Sequence, residues 1–248
     1  MFLEFVNRKK AEKFNENVIK AVKGRASLMQ IGVEGSDQIF KIVINPDAKR
    51  TVCFVAGLHG DEEGGPLGAL SFLESNFHVP TNKRVIIIPL ANPRGFELGK
   101  RENAEDMDIN RHFLKKELKG ECKFIWDALK HEDIDLVHTL HEDPELKTFC
   151  LYYTHHLELA KDLRELATQY FDIFAKEKRK PLEGDVKHSD KMINGIIPLP
   201  HTVKGTLEDK CLIEKAIPYI ITESPGKVNL KNRIEYNKNA IKASINGF

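Results

Sequence analysis

The alternation of short apolar runs with longer amphipathic stretches constrains the fold of this 248-residue chain more than any other feature. The runs 51–56, 84–90 and 134–140 are rich in aliphatic and β-branched residues, which predicts strands buried on both faces of a sheet. Two similar runs, 149–153 and 216–222, predict two more strands. Helices are predicted at four places, namely 65–76, 121–131, 155–178 and 229–245. Strands that alternate with helices indicate an α/β domain with a mixed, largely parallel sheet.

The residues before position 51 are predicted to belong to the same domain as the rest of the chain. Two runs, 27–33 and 38–44, flank the turn-forming segment 34–37, which predicts a β-hairpin at an edge of the fold. The sequence has no internal repeat, no low-complexity tract and no linker rich in proline, glycine and serine. We therefore expect one domain that spans residues 1–248.

The charge balance of the sequence argues against several classes of partner. The 38 lysines and arginines nearly cancel the 37 aspartates and glutamates, so no global field attracts nucleic acid or an anionic membrane surface. No apolar run approaches the roughly 20 residues that span a bilayer, and the charged N-terminus has no signal-like apolar region. The four cysteines lack CxxC spacing and are expected to be reduced core residues. We expect a cytoplasmic protein.

The carboxyl end of the first buried strand carries a histidine and a glutamate three residues apart. His59 and Glu62 belong to a turn rich in glycine and acidic residues, from which both side chains could converge on one point. Imidazole and carboxylate groups are both ligands that Zn²⁺ accepts. Alone, the HxxE pattern is also compatible with ordinary polar surface, so its interpretation depends on the other strand ends.

Two further strand ends carry groups that would complete a metal site. His141 follows the run 134–140 and is a candidate third ligand, which would leave the fourth position open as in catalytic zinc sites. His138 is the rival ligand, although its side chain is expected on the other side of the strand. Glu223 follows the run 216–222 and could move a proton between water and a leaving group. Ligands bind at the carboxyl ends of the strands in such sheets, where these groups are expected to meet.

The segment between the first two strand ends is rich in groups suited to an anionic substrate. Asn110 and Arg111 could hold a carboxylate, since a guanidinium group forms paired hydrogen bonds. Arg101 could polarise a carbonyl group and stabilise its oxyanion. Asp108 could accept the second ring N–H of a metal-bound histidine. A charged surface loop would have a similar composition.

The ordered motifs resemble those of the zinc carboxypeptidases of the carboxypeptidase A type. The wider superfamily includes the succinylglutamate desuccinylase and aspartoacylase enzymes. The resemblance runs from residue 51 to residue 226 and rests on five motifs: HGDE from His59, NPRGF from Asn92, R-x-N-x₄-D-I-N-R from Arg101, LHED from Leu140 and ITESPG from Ile221.

The resemblance implies an α/β/α sandwich around a mixed, mostly parallel eight-stranded sheet, and a hydrolase with one zinc ion. It also implies roles for eight residues. His59, Glu62 and His141 would bind the zinc ion, and Glu223 would be the general base. Arg101 would stabilise the oxyanion, Asn110 and Arg111 would bind the substrate carboxylate, and Asp108 would orient the first zinc histidine.

Some positions depart from the family pattern. The digestive enzymes place an arginine inside HxxE, whereas this chain has Gly60 and Asp61, a form closer to the murein-peptide amidase and desuccinylase branches. Thr139 stands where relatives often have aspartate. The tyrosine that covers the substrate in the digestive enzymes has no clear counterpart, and Tyr152 and Tyr219 are the candidates.

The expected substrate is a peptide or a small amide that carries a free carboxylate. Cleavage of a C-terminal peptide bond is favoured, because only 25 residues follow Glu223, whereas aspartoacylase-type enzymes carry an extra β-rich domain there. Deacylation of an N-acyl amino acid is the alternative, and a catalytically degenerate binding module is the third possibility. If Glu208 or Asp209 faces the pocket, an amine-bearing C-terminal residue would be preferred. Otherwise these acids simply begin a helix.

Overall fold

The computed structural model of the chain describes residues 9–174, 194–199 and 204–248. In these ranges the α-helices are α1 (Lys9–Val22), α2 (Gly64–Glu74), α3 (Pro93–Leu98), α4 (Gly120–Leu129), α5 (Leu157–Ala167), α6 (Leu207–Lys215) and α7 (Leu230–Gly247), and a 3₁₀ helix spans Ile109–Arg111. The strands there are β1 (Ser27–Glu34), β2 (Asp37–Ile44), β3 (Arg50–Ala56), β4 (Lys83–Ile88), β5 (Leu136–Asp143), β6 (Thr148–Tyr153), β7 (Asp172–Ile173), β8 (Ile196–Pro198) and β9 (Tyr219–Pro225).

The strands of the described ranges form one mixed sheet in the order β1-β2-β4-β3-β5-β9-β6-β7, with the short β8 beside β6. The central strands β4, β3, β5 and β9 pair in parallel, whereas β1 with β2, β2 with β4 and β6 with β9 pair antiparallel. The predicted hairpin is β1 with β2. The α/β fold with a large, mostly parallel central sheet is therefore confirmed.

Helices cover both faces of this sheet, and successive residues of one strand enter different cores. On β3, Phe54 belongs to a core with residues of α1, α2, α5 and α7, whereas Val55 belongs to a second core with residues of α4 and α6 on the opposite face. Both side chains are fully buried. Each buried side chain of this size stabilises the fold by roughly 1.5–3 kcal/mol. This two-sided burial explains the continuous apolar runs of the central strands.

The prediction of one long helix over 155–178 was wrong. The helix α5 ends at Ala167, and Asp172–Ile173 then pairs with β6 as β7. Phe171 turns into the core, where its ring contacts Phe149 and Tyr236. This burial and the pairing with β6 outweigh the helical periodicity of the sequence. Residues 175–178 of the predicted helix lie outside the described ranges.

Two strands run further than their apolar runs suggested. β5 continues through His141 to Asp143 and β9 continues through Glu223 to Pro225, because the two ends pair with each other. His141 and Glu223 therefore lie on strands rather than on the loops that follow. Strand pairing fixes their direction more firmly than a loop would.

The cysteines are placed as the sequence predicts. All four cysteines are buried and free, as predicted for reduced core residues. Within the described ranges, no helix combines the length and the apolar character that a membrane crossing requires.

Candidate metal centre

His59 and Glu62 meet in the turn that follows β3. The Nδ1 atom of His59 lies 2.5 Å from Oε1 of Glu62, and both side chains are buried. Gly57 adopts a φ of 67° where the chain leaves the strand, a backbone conformation that glycine enters without strain. The turn then directs both side chains toward the end of β5, so the HxxE pair forms one cluster rather than polar surface.

His141 reaches the same carboxylate from β5. Its Nδ1 atom lies 2.8 Å from Oε2 of Glu62, which is 79 positions away in the sequence. The backbone N–H of Glu142 also donates to Oε2 of Glu62, at 3.1 Å. One potential ligand atom from each of His59, Glu62 and His141 lies within 4.8 Å of the others, and all three residues are buried. These atoms could hold one metal ion between them.

The electrostatics of this cluster fit a cation. Burial alone would raise the pKa of Glu62, but His59 and His141 outweigh it and bring this pKa well below its usual range. Burial would lower the pKa of His141, yet the Glu62 carboxylate raises it well above its usual value. The buried, ionised carboxylate of Glu62 is therefore stabilised by positive charge beside it. A divalent ion held by this carboxylate and the two imidazoles would supply that charge.

His138, the rival ligand, points away from the cluster. Its Nδ1 atom lies 2.9 Å from Oγ of Ser244, and its Nε2 atom lies 3.2 Å from Oγ1 of Thr222. Burial lowers the pKa of His138 to about 3, which keeps the imidazole neutral. The three-residue offset along β5 therefore separates the two histidines onto opposite faces of the sheet.

Asp108 contacts both His59 and Arg101. Its Oδ1 atom lies 3.3 Å from Nε2 of His59, and its Oδ2 atom accepts a hydrogen bond from Nε of Arg101 at 2.9 Å. The Nη1 atom of Arg101 lies 3.2 Å from Nδ1 of His59, and a third of the arginine side chain is exposed. One carboxylate therefore orients a candidate metal ligand and a candidate oxyanion-binding group together.

Glu223 lies directly beside His141, because these residues are partners in the parallel register of β5 and β9. Its side chain is partly exposed, unlike the three clustered residues. Burial, the largest influence, raises the pKa of Glu223 to about 7. A carboxyl group with this pKa can exchange protons near neutral pH.

Asn110 and Arg111 lie near the cluster but differ in exposure. Asn110 is buried, and its Oδ1 atom accepts a hydrogen bond from the backbone N–H of Leu207. Its Nδ2 atom lies 3.4 Å from Nε2 of His141. Arg111 is exposed and donates from Nη1 to the backbone carbonyl of Asn110. Asn110 thus faces the protein interior, whereas Arg111 faces the solvent.

The NPRGF motif supports the site through the side chain of Asn92 and the backbone of Gly95. Asn92 caps α3 by accepting a hydrogen bond from the N–H of Gly95, and its Nδ2 atom donates to the carbonyl of Arg101. Gly60 packs directly on this helix, since a Cβ added at Gly60 would lie 1.9 Å from the carbonyl carbon of Gly95. The close approach explains a glycine inside the HxxE turn.

The two candidate tyrosines differ in burial, and the two acidic residues at the start of α6 differ in direction. Tyr219 is fully buried and donates its hydroxyl hydrogen to the carbonyl of Leu199, so it is a core residue. Tyr152 is partly exposed on β6. Asp209 forms a capping box with Thr206 at the start of α6, as the alternative interpretation of that segment predicted. Glu208 turns inward instead, a placement that sequence reasoning left open.

The family of succinylglutamate desuccinylase/aspartoacylase catalytic domains matches residues 48–172, half of the chain. The chain belongs to this family. The matched span includes His59, Glu62 and His141, whereas Glu223 lies beyond it. Among curated proteins, none matches the sequence.

Solved structures with the same fold include proteins named for peptide hydrolysis. A provisionally named metallopeptidase from Shewanella amazonensis superposes with a TM-score of 0.81 at 23% identity, covering 97% of this chain and 94% of that protein. A metallo-carboxypeptidase from Burkholderia cenocepacia gives 0.70 at 12% identity, with coverage of 94% and 66%. The murein-tripeptide amidase of Escherichia coli O157 gives 0.63 at 16% identity, with coverage of 88% and 91%. At these identities the likeness shows the fold. Family membership and the buried His–Glu–His cluster together indicate a metal-dependent hydrolase.

Proposed function

We propose that this family member is a zinc-dependent metallocarboxypeptidase that hydrolyses the C-terminal amide bond of a short peptide. The supporting observation is the position of Glu223 beside the cluster of His59, Glu62 and His141, which joins a metal site to a carboxylate able to move protons. Two imidazole nitrogens and a carboxylate suit zinc, and three protein ligands leave a coordination position for a reactant.

The residues have separate tasks in the proposed reaction. When bound, zinc would act as a Lewis acid and lower the pKa of water at the site. Glu223 takes a proton from the attacking water as the water oxygen bonds to the carbonyl carbon. The same proton passes from Glu223 to the amide nitrogen as the C–N bond breaks. The products are a carboxylate and an amine.

The two arginines bind the charges of the substrate. Arg101 is held by Asp108 at the edge of the cluster, where its guanidinium group can donate to the developing oxyanion. Arg111 is exposed, and its remaining N–H groups can bind the terminal carboxylate. Asn110 supports Arg111 by accepting its Nη1 hydrogen bond on the backbone carbonyl and contributes a buried amide near His141.

A second candidate substrate is an N-acyl amino acid, which the family assignment favours. Both candidates present the same end to the site, namely an amide nitrogen attached to a carbon that carries a carboxylate. They differ in the acyl group, which is an aminoacyl or peptidyl group in the peptide and a simple acyl group in the N-acyl amino acid. The peptide is placed first because the proteins of similar fold are named metallopeptidases and carboxypeptidases. That likeness itself shows only the fold.

A substrate series with one constant C-terminal residue tests the proposal. Its acyl group grows from acetyl and succinyl to one, two and three amino acids, and each compound is paired with its C-terminal amide. We expect hydrolysis of the peptides with a free carboxylate and little hydrolysis of the amides. Hydrolysis of the N-acyl amino acids alone would favour the second candidate. A zinc-loaded protein that hydrolyses nothing in the series would instead be a binding module.

A further inference from the structure

Glu208 is a fully buried carboxylate that the proposed reaction does not use. It lies in the first turn of α6, and none of its surface is exposed. Its Oε1 atom accepts a short hydrogen bond from the hydroxyl of Thr139 and lies 3.5 Å from Nε2 of His141. A buried carboxylate is costly unless it is paired or well hydrogen-bonded. Among the ion pairs of the described residues, the partner of Glu208 is this histidine.

The orientation of Asn110 identifies which neighbour can accept a hydrogen bond from Nε2 of His141. The Oδ1 atom of Asn110 accepts the backbone N–H of Leu207 at 2.9 Å, so its amide nitrogen must face the other way. That nitrogen lies 3.4 Å from Nε2 of His141 and 3.5 Å from Oε2 of Glu208. An amide nitrogen only donates hydrogen bonds. Of the two groups that face Nε2, Glu208 is therefore the acceptor.

We infer that Glu208 is a positioning residue that orients His141 by accepting the N–H of its Nε2 atom. This inference rests on the proposed function, because it assumes that Nδ1, the nitrogen facing Glu62, serves the metal. An imidazole that uses Nδ1 as a ligand carries its remaining proton on Nε2, and a carboxylate partner there fixes the tautomer and raises ligand basicity. Glu208 thus does for His141 what Asp108 does for His59.

Thr139 connects this carboxylate to the strand that carries His141. Residues 139 and 141 lie on the same face of β5. The Thr139 hydroxyl donates a hydrogen bond to Oε1 of Glu208, and the same oxygen can also accept the Nε2 hydrogen bond of His141. A short polar side chain at position 139 therefore leaves room for a longer carboxylate from α6. The two ligand histidines consequently receive carboxylates from different segments, one from residue 108 and one from residue 208.

The test compares zinc affinity in three proteins, measured by competition with a chromogenic chelator. Glu208→Gln keeps the shape of the side chain but removes its charge, and we expect about 10–100-fold weaker zinc binding. Glu214→Gln is the matched control, because it makes the same change at an exposed position of the same helix. We expect this control to bind zinc as tightly as the unaltered protein.

The NMR signal of the His141 ring N–H is a second readout, which would not change if Glu208 had a purely structural role. In the zinc-loaded protein we expect an exchange-protected Nε2 proton signal, which is shifted and exchanges faster in Glu208→Gln. If that variant does not fold, Thr139→Val replaces it. The valine variant removes one hydrogen bond to Glu208 and should weaken zinc binding several-fold.

The outcomes separate this inference from the proposed function. If the unaltered protein binds no zinc, the proposed function fails. If it binds zinc while Glu208→Gln and Thr139→Val both match Glu214→Gln, only the role of Glu208 is overturned. A change in KM for amine-bearing substrates with unchanged zinc affinity would also overturn it, since Glu208 would then act on the substrate.

Discussion

Glu223 is the register partner of His141, and the two side chains project from the same face of the sheet at neighbouring positions on β9 and β5. On its other side, Glu223 pairs with Cys150 of β6, so an inner strand holds the carboxylate. The convergent ligand set of the described residues comprises His59, Glu62 and His141 without Glu223. This arrangement leaves Glu223 available for proton transfer.

Replacement of Glu223 should separate metal binding from catalysis. We expect Glu223→Gln to retain stoichiometric zinc and to lose about 10²–10⁴-fold in kcat, because the side-chain amide of the new glutamine cannot take a proton from water. Metal analysis and steady-state kinetics on one preparation check both halves. Turnover at the unaltered rate would remove Glu223 from the proton-transfer role.

The two histidines of β5 offer a matched pair of variants. His141→Ala should abolish stoichiometric metal binding, since it removes one of three ligands. His138→Ala should retain the metal but lower the free energy of unfolding by about 1–3 kcal/mol, because it leaves Ser244 and Thr222 without their buried partner. The measurements are metal content and chemical denaturation. Loss of metal in His138→Ala with retention in His141→Ala would reverse the assignment.

Asp108 should matter to both the metal and the substrate, because it contacts His59 and Arg101 through different oxygens. We expect Asp108→Asn to weaken metal affinity about 10–100-fold. A fall in kcat should persist at saturating zinc, since Arg101 loses its charged partner. Titration with zinc before the kinetic assay distinguishes the two effects. Full recovery of kcat at high zinc would show that Asp108 does not act through Arg101.

The glycine inside the HxxE turn should tolerate no side chain. An added Cβ at Gly60 would lie 1.9 Å and 2.2 Å from backbone atoms of Gly95 and Phe96, which cannot move independently of α3. We expect Gly60→Ala to cost about 1–3 kcal/mol of stability and to weaken metal binding by displacing His59. Gly247→Ala is the control, since its Cβ would meet side-chain ends instead of backbone, namely Leu159 at 3.2 Å and Asp162 at 3.9 Å. Equal effects of the two substitutions would contradict this explanation.

The buried neutral imidazole of His138 should make the fold sensitive to acid. Its pKa is lowered from 6.5 to about 3, so the unfolded chain binds a proton below pH 6.5 that the folded protein excludes. This contribution to stability is complete above pH 6.5 and is lost as the pH falls toward 3, by up to about 1.4 kcal/mol per pH unit. His138→Gln should lose stability less steeply between pH 6.5 and 4. Identical slopes of unfolding free energy against pH would contradict the assignment.

The parts of the site that lie at strand ends could be predicted from the sequence. An apolar run that ends in a polar residue marks the edge of a parallel sheet, and this placed His59, Glu62, His141 and Glu223 at one edge. The alternation of side chains along a strand also separated His138 from His141. Such arguments need only the local sequence and two general properties of sheets, namely that parallel strands end at one edge and that side chains alternate between faces.

Other parts depend on packing between distant segments and were not predictable in this way. Glu208 is 67 positions from His141, and only the placement of α6 against β5 brings them together. The hydrogen bond from the Glu142 backbone to Glu62 depends on how the β3 turn meets β5. The end of α5 was missed because Phe171 gains more from the core than from continued helix.

The most direct test of the central claim is the rate of peptide hydrolysis as zinc is returned to chelator-treated protein. We predict negligible activity without metal and a linear rise that ends at one zinc per chain, with no recovery in His141→Ala. Full activity in the chelated protein, or a recovery that is the same in His141→Ala, would contradict a catalytic metal held by His59, Glu62 and His141.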